Sequence, residues 1–534
     1  MSRLSRRDFM AATAGGALAS RFVRSAAAAT APKRGGTLIA SWGGFEPQSL
    51  FVPAGGGSSP YFTSTKVLER LLRLSVDLTF EPVLAVDIKP AADFHSYTIK
   101  LRDNVTWHDG KPFTADDVVF TAMEYWKPIS AGVSLDALQA AEAVDPLTVV
   151  LKFKAPVPEF FLKSVLAGKS GLVIPKHVYA DSNIITNPVN NTPIGTGPFK
   201  VKEWVRGSHV EFLRNDKYWN PELPYLDRLV IRWWRDPASR SAAFEAGQLD
   251  IGTFNPIPMP DIPRLTGGGK FIAETKGYSN AAWVTTVEFN QRREAFKKRE
   301  VRQALMCAID RQFIAETIFF GRARPSTGVV HASNTIFFTK DVQPYPFDVK
   351  NAAAMLDAAG YPVKGGSRFN LSLVSAGWFE ENIKIGQYVK QAFEDLDIAV
   401  DLTVPDRATS LKRIYTDYDY DVAISNNSAS IELIPSTTQF YTTDGIVKGA
   451  AFRNATGYSN PKLDEIVGKM TVETDEPKRI ALAKDFDRLA SSEAPLLPMV
   501  DLDPVTIVRS DVRNHSTSAD FMGESWSDMW LDRG

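Results

Sequence analysis

One cysteine, Cys307, stands in a chain of 534 residues, so no internal disulfide can form and no cysteine-based zinc site can be built. After residue 30 no run of 18 apolar residues occurs, which excludes a membrane-spanning helix in that stretch. Net charge is almost absent: 61 Lys and Arg against 62 Asp and Glu give −1, which does not favour a nucleic-acid partner. Six histidines (His95, His108, His177, His209, His331, His515) show neither His-x-x-x-His nor His-x-His spacing, so no metal ligand set is indicated. There is no Gly-x-Ser-x-Gly elbow, and no Ser-x-x-Lys stands in a persuasive context. Nothing therefore points to an enzyme. No internal repeat or low-complexity block occurs.

What is present is globular material. Hydrophobic residues make up 44% and charged residues 23%, values that exclude wholesale disorder and fibrous architecture. At about 150 residues per domain the length predicts two to four domains. The first residues read Met-Ser-Arg-Leu-Ser-Arg-Arg-Asp-Phe-Met, followed by a weakly apolar stretch to Ser20 and small residues from Ser25 to Ala29. A basic segment, a short apolar segment rich in Ala and Gly, and an Ala-x-Ala site make residues 1–29 a signal peptide of the twin-arginine type. Cleavage after Ala27, Ala28 or Ala31 fits equally. That segment holds five Arg and one Asp, so its removal leaves a chain near −5. A periplasmic location follows.

Beyond the leader, Thr37–Ala40, Tyr97–Leu101 and Thr148–Phe153 read as strands, and Asp109-Gly110 as a turn. Thr114 to Asp117 reads as a capping box opening a helix. From about residue 290 helices alternate with strands. Ile385, Val389, Ala392 and Phe393 form the cleanest amphipathic stripe, and strands are expected at Phe369–Val374, Ile398–Val404 and Asp421–Ile424. The tail at Val505–Val508 is strand-like again. Gly195-Thr196-Gly197-Pro198 lacks the Lys-Ser/Thr of a phosphate loop and reads as a tight turn, and Gly55-Gly56-Gly57 reads as a loop. His108 and Asp109 are explained by a hairpin turn before a capped helix, without ligands. Cys307 reads as core.

Several ordered blocks carry a resemblance. They are Val67-Leu68-Glu69-Arg70-Leu71, Phe80-Glu81-Pro82-Val83-Leu84, and Tyr97 to Val118 with Trp107-His108-Asp109-Gly110-Lys111-Pro112-Phe113. Further on stand Pro193 to Phe199, Arg214-Asn215-Asp216-Lys217-Tyr218-Trp219, Gly247 to Ile251, and Val301 to Arg311. In this order they resemble the peptide/nickel-type (family 5) periplasmic solute-binding proteins of ABC importers. The resemblance implies an α/β, two-lobed periplasmic-binding-protein fold, type II and cluster C-like, with an extra subdomain in the first lobe. It places lobe 1 at 35–280 with the inserted subdomain at about 55–188, lobe 2 at 281–498, and a return to lobe 1 at 499–534. The hinge crossings are expected near Gly277–Trp283 and Pro498–Pro504. It further implies a monomer without cofactor, whose partners are a small-molecule solute and an ABC permease in the inner membrane. An exported hydrolase, or a ligand-binding module for a sensor or chemoreceptor, are the alternatives.

Enclosing a solute between lobes needs apolar platforms and a few oriented polar groups. The candidates are Trp42 and Phe45 after the first strand, Asn280 at the hinge, Trp378 beyond a strand end, Asn426 and Asn427 in the loop expected after Ile424, and Tyr441. Peptide-binding members resembling this chain carry an acidic residue after the strand that ends here at Ile424, to pair with the ligand's ammonium. Here the stretch is Ser425-Asn426-Asn427-Ser428, and Glu432 is the only substitute. Oligosaccharides or opine-like sugar–amino-acid conjugates are therefore expected to bind better than simple peptides.

Overall fold

The computed structural model describes residues 31–43, 45–52, 58–129, 135–234 and 236–533. The leader at 1–29 and the loop at Gly55–Gly57 lie outside the described residues. Two large sheets divide the chain. In the first, β1 (Thr37–Trp42) is central and runs parallel to β10 (Arg228–Arg232) on one side and β11 (Ile251–Thr253) on the other. Beyond β10 lie β9 (His209–Arg214) and β8 (Phe199–Val205), both antiparallel to their neighbours. Beyond β11 comes the tail strand β19 (Thr506–Arg509), then β12 (Phe271–Glu274) at the edge. Leu38, Ala40, Leu229, Ile231 and Val508 fill the core of this lobe.

The second sheet has the order β14-β18-β13-β17-β15-β16. Its members are β13 (Ala282–Phe289), β14 (Ala323–Pro325), β15 (Asn370–Ser375), β16 (Ala399–Thr403), β17 (Val422–Ala429) and β18 (Leu496–Leu502). β15 is parallel to β16 and β17, with the helix Glu380–Glu394 as one crossover. That helix buries Ile385, Val389, Ala392 and Phe393 on one face, as its periodicity requires. Gly386 lets it sit close, since an added Cβ would come within 2.7 Å of the Ser375 side chain.

A smaller antiparallel sheet forms a subdomain from β4 (Ala85–Pro90), β5 (Ser96–Leu101), β7 (Thr148–Phe153) and β6 (Leu138–Asp145). It encloses its own core around Trp107, Tyr125 and Trp126. The short pairs β2 (Leu72–Leu74) with β3 (Phe80–Pro82), and β20 (Val512–Arg513) with β21 (Trp530–Leu531), complete the strands. Asp117 accepts the Thr114 N–H at 3.0 Å and opens the helix Ala115–Phe120. The His108 ring accepts from Gly195 N–H at 3.3 Å and donates through Nε2 to the Gly197 carbonyl at 2.9 Å, while Asp109 meets His177 at 2.7 Å. Burial holds the His108 imidazole neutral, with its pKa down at about 4. Gly195 and Gly197 lie against the Val67 carbonyl, where a Cβ would collide with it.

The chain passes between the sheets twice, over residues 275–281 and 503–505. The second sheet keeps the chain to Leu502, four residues past the boundary expected at 498, because β18 pairs with β13 as far as Leu502 opposite Trp283. Tyr278 ties both crossings to the end of β11. Its hydroxyl accepts the Phe254 N–H at 2.9 Å and lies 2.6 Å from Thr506 Oγ1. Asn255, at a positive φ of 52°, exchanges two hydrogen bonds with Val505. No helix among the described residues is long and apolar enough to cross a membrane.

Candidate functional site

Parallel strands carry their loops, and hence their ligand contacts, at the carboxyl ends. In the first lobe those ends deliver Trp42 as the last residue of β1 and Gly43 after it, Trp233 and Trp234 after β10, and Phe254 after β11. In the second they deliver Trp378 and Phe379 after β15 and Arg407 after β16. The two sets meet beside the hinge. Phe254 stacks on Trp42 at 5.1 Å and meets Trp283 edge-on at 5.1 Å, and Trp283 in turn meets Phe379 at 5.0 Å. An aromatic floor thus runs from one lobe to the other.

On the second lobe a polar cluster stands beside this floor. Asn426 Oδ1 accepts from Trp378 Nε1 at 3.1 Å and from Asn382 Nδ2 at 2.5 Å, while its own amide donates to Thr285 Oγ1 at 3.1 Å. Asn382 also donates to the Ala376 carbonyl at 2.9 Å, so the helix that carries it fixes the loop bearing Trp378. The half-buried indole is therefore held in one orientation. Arg407, exposed, places its guanidinium 5.4 Å from the centre of the Trp378 ring and makes no hydrogen bond or ion pair with any described residue. Five N–H donors beside an aromatic face suit a carboxylate.

The expected residues separate into groups. Trp378 and Asn426 stand together. Asn427 does not join them, because β17 continues as a strand to Ala429 instead of ending at Ile424. Alternation then sends Asn427 to the opposite face, where it is buried, donates to Thr286 Oγ1 at 3.2 Å and leaves its Oδ1 without a donor among the described residues. The strand persists through Ser-Asn-Asn-Ser because Thr285, Thr286 and Glu288 on β13 accept what these side chains donate. Trp42 is corrected to a core residue: it is 3% exposed, lies between Phe62 and Phe254, and donates to Ser59 Oγ at 3.0 Å. Tyr441 is likewise core, 1% exposed, with its hydroxyl on the Leu496 carbonyl at 3.1 Å and its ring against Phe486. Asn280 is half-buried and braces the hinge, accepting from Ser430 Oγ at 2.8 Å and Ile431 N–H at 3.0 Å. Phe45 is 77% exposed. Glu432 is unavailable to a ligand ammonium, since Arg479 holds it at 2.7 Å with both side chains enclosed.

Residues 79–449 match the family described as bacterial extracellular solute-binding proteins, family 5. The chain belongs to this family. An ABC transporter peptide-binding protein of Brucella ovis is 31% identical over 295 residues, so the chain spans about half (53%) of that relative's length. The glutathione-binding protein GsiB of Salmonella paratyphi A is 26% identical over 451 residues, covering 80% of this chain and 82% of its own. The oligopeptide-binding protein AppA of Bacillus subtilis, solved with a nonapeptide, superposes with a TM-score of 0.77 over 94% of this chain and 99% of its own at 22% identity. The shared architecture is the two-lobed periplasmic binding fold of family 5.

Sequence reasoning missed Arg407, Asn382, Trp233, Trp234 and Phe254. The adjacent tryptophans directly after the apolar Leu229-Val230-Ile231 were a usable signal, being aromatic where a strand ends. Arg407 had none, because its value lies in the stack on Trp378. One further group escaped the histidine spacing rule: Glu203, His209 and Glu211 on the β8–β9 hairpin bring one ligand atom each within 4.8 Å. Glu211 is already met by Lys202 at 2.9 Å and Arg228 at 2.6 Å, which supply its countercharge.

Proposed function

We propose that this family 5 chain is the substrate-binding component of an ABC importer, and that it encloses a small polar solute bearing a carboxylate between its lobes. The observation that carries the solute class is the Arg407 guanidinium over Trp378, with no ion pair among the described residues, while the acid expected as a substitute, Glu432, is consumed by Arg479. Carboxylate on guanidinium, apolar face on indole and hydroxyls or amides on Asn426 together suit opine-like sugar–amino-acid conjugates or acidic peptides. A simple peptide ammonium would find no free carboxylate at the Asn426 position and would lose solvation there. The chain binds and delivers and does no chemistry on its ligand.

Calorimetry against glutathione, an opine, a neutral glycoside and a dipeptide amide tests this. The acid-bearing ligands are expected to bind, to compact the protein in X-ray scattering, and to lose about tenfold or more in affinity in Arg407→Gln and in Trp378→Ala. Tighter binding of the neutral glycoside, or affinities untouched by Arg407→Gln, would overturn the solute class. Export by the twin-arginine route rests on Arg6 and Arg7, since the export receptor reads the planar guanidinium pair. Changing both to Lys is expected to abolish periplasmic accumulation in cell fractionation, and normal accumulation refutes the route.

A further inference from the structure

Away from the inter-lobe floor, the first lobe contains a cavity of about 400 Å³, a volume within the range of small-molecule sites. Four stretches enclose it: the segment after the helix Ser58–Ser64, strand β3, the loop at Tyr218–Leu223, and the carboxy-terminal segment Ser518–Asp528. None of Trp378, Asn426 and Arg407 lines it. We propose that this cavity is a second ligand site, and that it takes a small organic cation, an alkylamine or alkylguanidine. The proposal does not rest on the cleft reading above.

The charges decide the ligand's sign. Glu69, Glu81, Glu524 and Asp528 line it together with two guanidinium groups, Arg70 and Arg73, while the Arg102 guanidinium stacks on the Trp219 ring at 4.0 Å and the Lys66 ammonium lies behind the wall. Glu69 is fully engaged, accepting from Tyr218 at 2.7 Å, Thr196 at 2.8 Å and the Trp219 indole at 3.2 Å. Arg70 is committed to the Ala167 and Gly523 carbonyls and the Tyr61 hydroxyl, and Arg73 to Glu81 at 2.5 Å. Glu524 and Asp528 are the two carboxylates with no salt bridge among the described residues, Arg73 acting on Asp528 only at longer range. Glu524 is 4% exposed; its Oε1 accepts from Thr517 N–H at 2.8 Å and Thr517 Oγ1 at 2.6 Å, while its Oε2 is buried with no donor among the described residues. A buried carboxylate oxygen without a donor costs free energy that a bound N–H would recover. Lys66 does not fill this role, because its ammonium bonds the Glu524 backbone carbonyl and lies over the Phe62 and Trp526 rings. Desolvation, aided by the Asp528 charge and opposed by the Thr517 hydrogen bonds and the Lys66 charge, pushes the Glu524 carboxyl up to about 7.

A metal ion does not suit the site. Among the described residues the only three-ligand cluster within 4.8 Å is Glu203–His209–Glu211, elsewhere on the lobe. Leu68, Val83 and Leu223 instead give the cavity walls that accept hydrocarbon. Arg73 and Glu81, 36% and 38% exposed, stand at its mouth.

Calorimetry of the mature protein near neutral pH, with agmatine and putrescine as probes and acetate as the anionic control, tests the proposal. Saturable binding of one equivalent of a cationic probe is expected, weakened about tenfold or more in Glu524→Gln and in Asp528→Asn and unchanged in Trp378→Ala. Asp528 is only half-buried, so its variant carries the test if Glu524→Gln does not fold. No saturable binding up to about 10 mM probe, equal affinity in Asp528→Asn, or loss in Trp378→Ala would each overturn it.

Discussion

Glu432 and Arg479 are 6% and 3% exposed and 2.7 Å apart, so each is tolerable only because of the other. Arg479 further donates to the Met470 carbonyl at 3.0 Å, and Glu432 accepts the Ile434 N–H at 2.9 Å. Removing one member of such a pair strands a buried charge, at a cost of roughly 3–5 kcal/mol, whereas removing both is far milder. Arg479→Met is therefore expected to lower the denaturant midpoint of the second lobe sharply, and Arg479→Met with Glu432→Gln to restore most of it. Equal damage in single and double variants would show that packing, not charge, is what Arg479 supplies. The pair also explains why an acid so near the Asn426 position is no substitute for a ligand-binding carboxylate: its lone pairs are turned inward.

At the level of elements, the hinge depends on few atoms. Tyr278 joins the first crossing to Phe254 at the end of β11 and to Thr506 at the start of β19. Tyr278→Phe leaves the Phe254 N–H and the Thr506 hydroxyl without their partner, at about 1–3 kcal/mol. Faster hydrogen exchange at the Phe254 amide, with protection in the helix Glu380–Glu394 unchanged, is the expected result; unchanged exchange at Phe254 would mean another acceptor takes over. Elements of strong periodicity were legible in the sequence. The stripe Ile385–Val389–Phe393 gave its helix directly, and the β-rich runs gave β5, β7, β15 and β16 to within a residue or two. β17 was half-legible, because Ser425 to Ser428 look like a loop until the Thr residues of β13 are placed beside them. Trp42 ends β1 instead of opening the loop after it, and its direction depends on Phe62 and Phe254, which are distant or conformationally unusual; Phe254 itself has a φ of +60°. Site residues were least legible for the same reason: Trp378 and Asn426 are 48 positions apart, and Arg407 matters only through the ring it covers.

Across the whole molecule, buried ionisable groups set how stability varies with pH. Burial raises Glu69, Glu288, Asp487 and Glu524 to about 7. Their unfolded values lie near 4, so between about 4.5 and 7 the native protein keeps protons that the unfolded chain has lost. Each such group therefore subtracts stability as pH rises through that interval. His108 acts in the opposite sense: with its pKa down at about 4, it is neutral in the native state while the unfolded imidazole still binds a proton up to about 6.5, so its contribution grows with pH. His331 and His515, also lowered by burial, add to that opposing side. Lys66, lowered to about 7, counters the carboxyls only above neutrality. The carboxyls are more numerous and more deeply buried, so the net slope between mildly acid and neutral pH is negative. Scanning calorimetry is expected to give a thermal midpoint a few degrees higher near pH 5.5 than near pH 7.5, a ranking that holds even if the lobes unfold separately. Glu288 isolates the cause. It is wholly buried, accepts from the Ser425 hydroxyl, and lies in neither the cleft nor the first-lobe cavity. Its share of the slope is at most about 3 kcal/mol. Glu288→Gln, which mimics the protonated acid at every pH, should shrink the difference between the two midpoints without lowering the one at pH 5.5. A higher midpoint at pH 7.5 in the unmodified protein would mean that the histidines, not the carboxyls, dominate the balance.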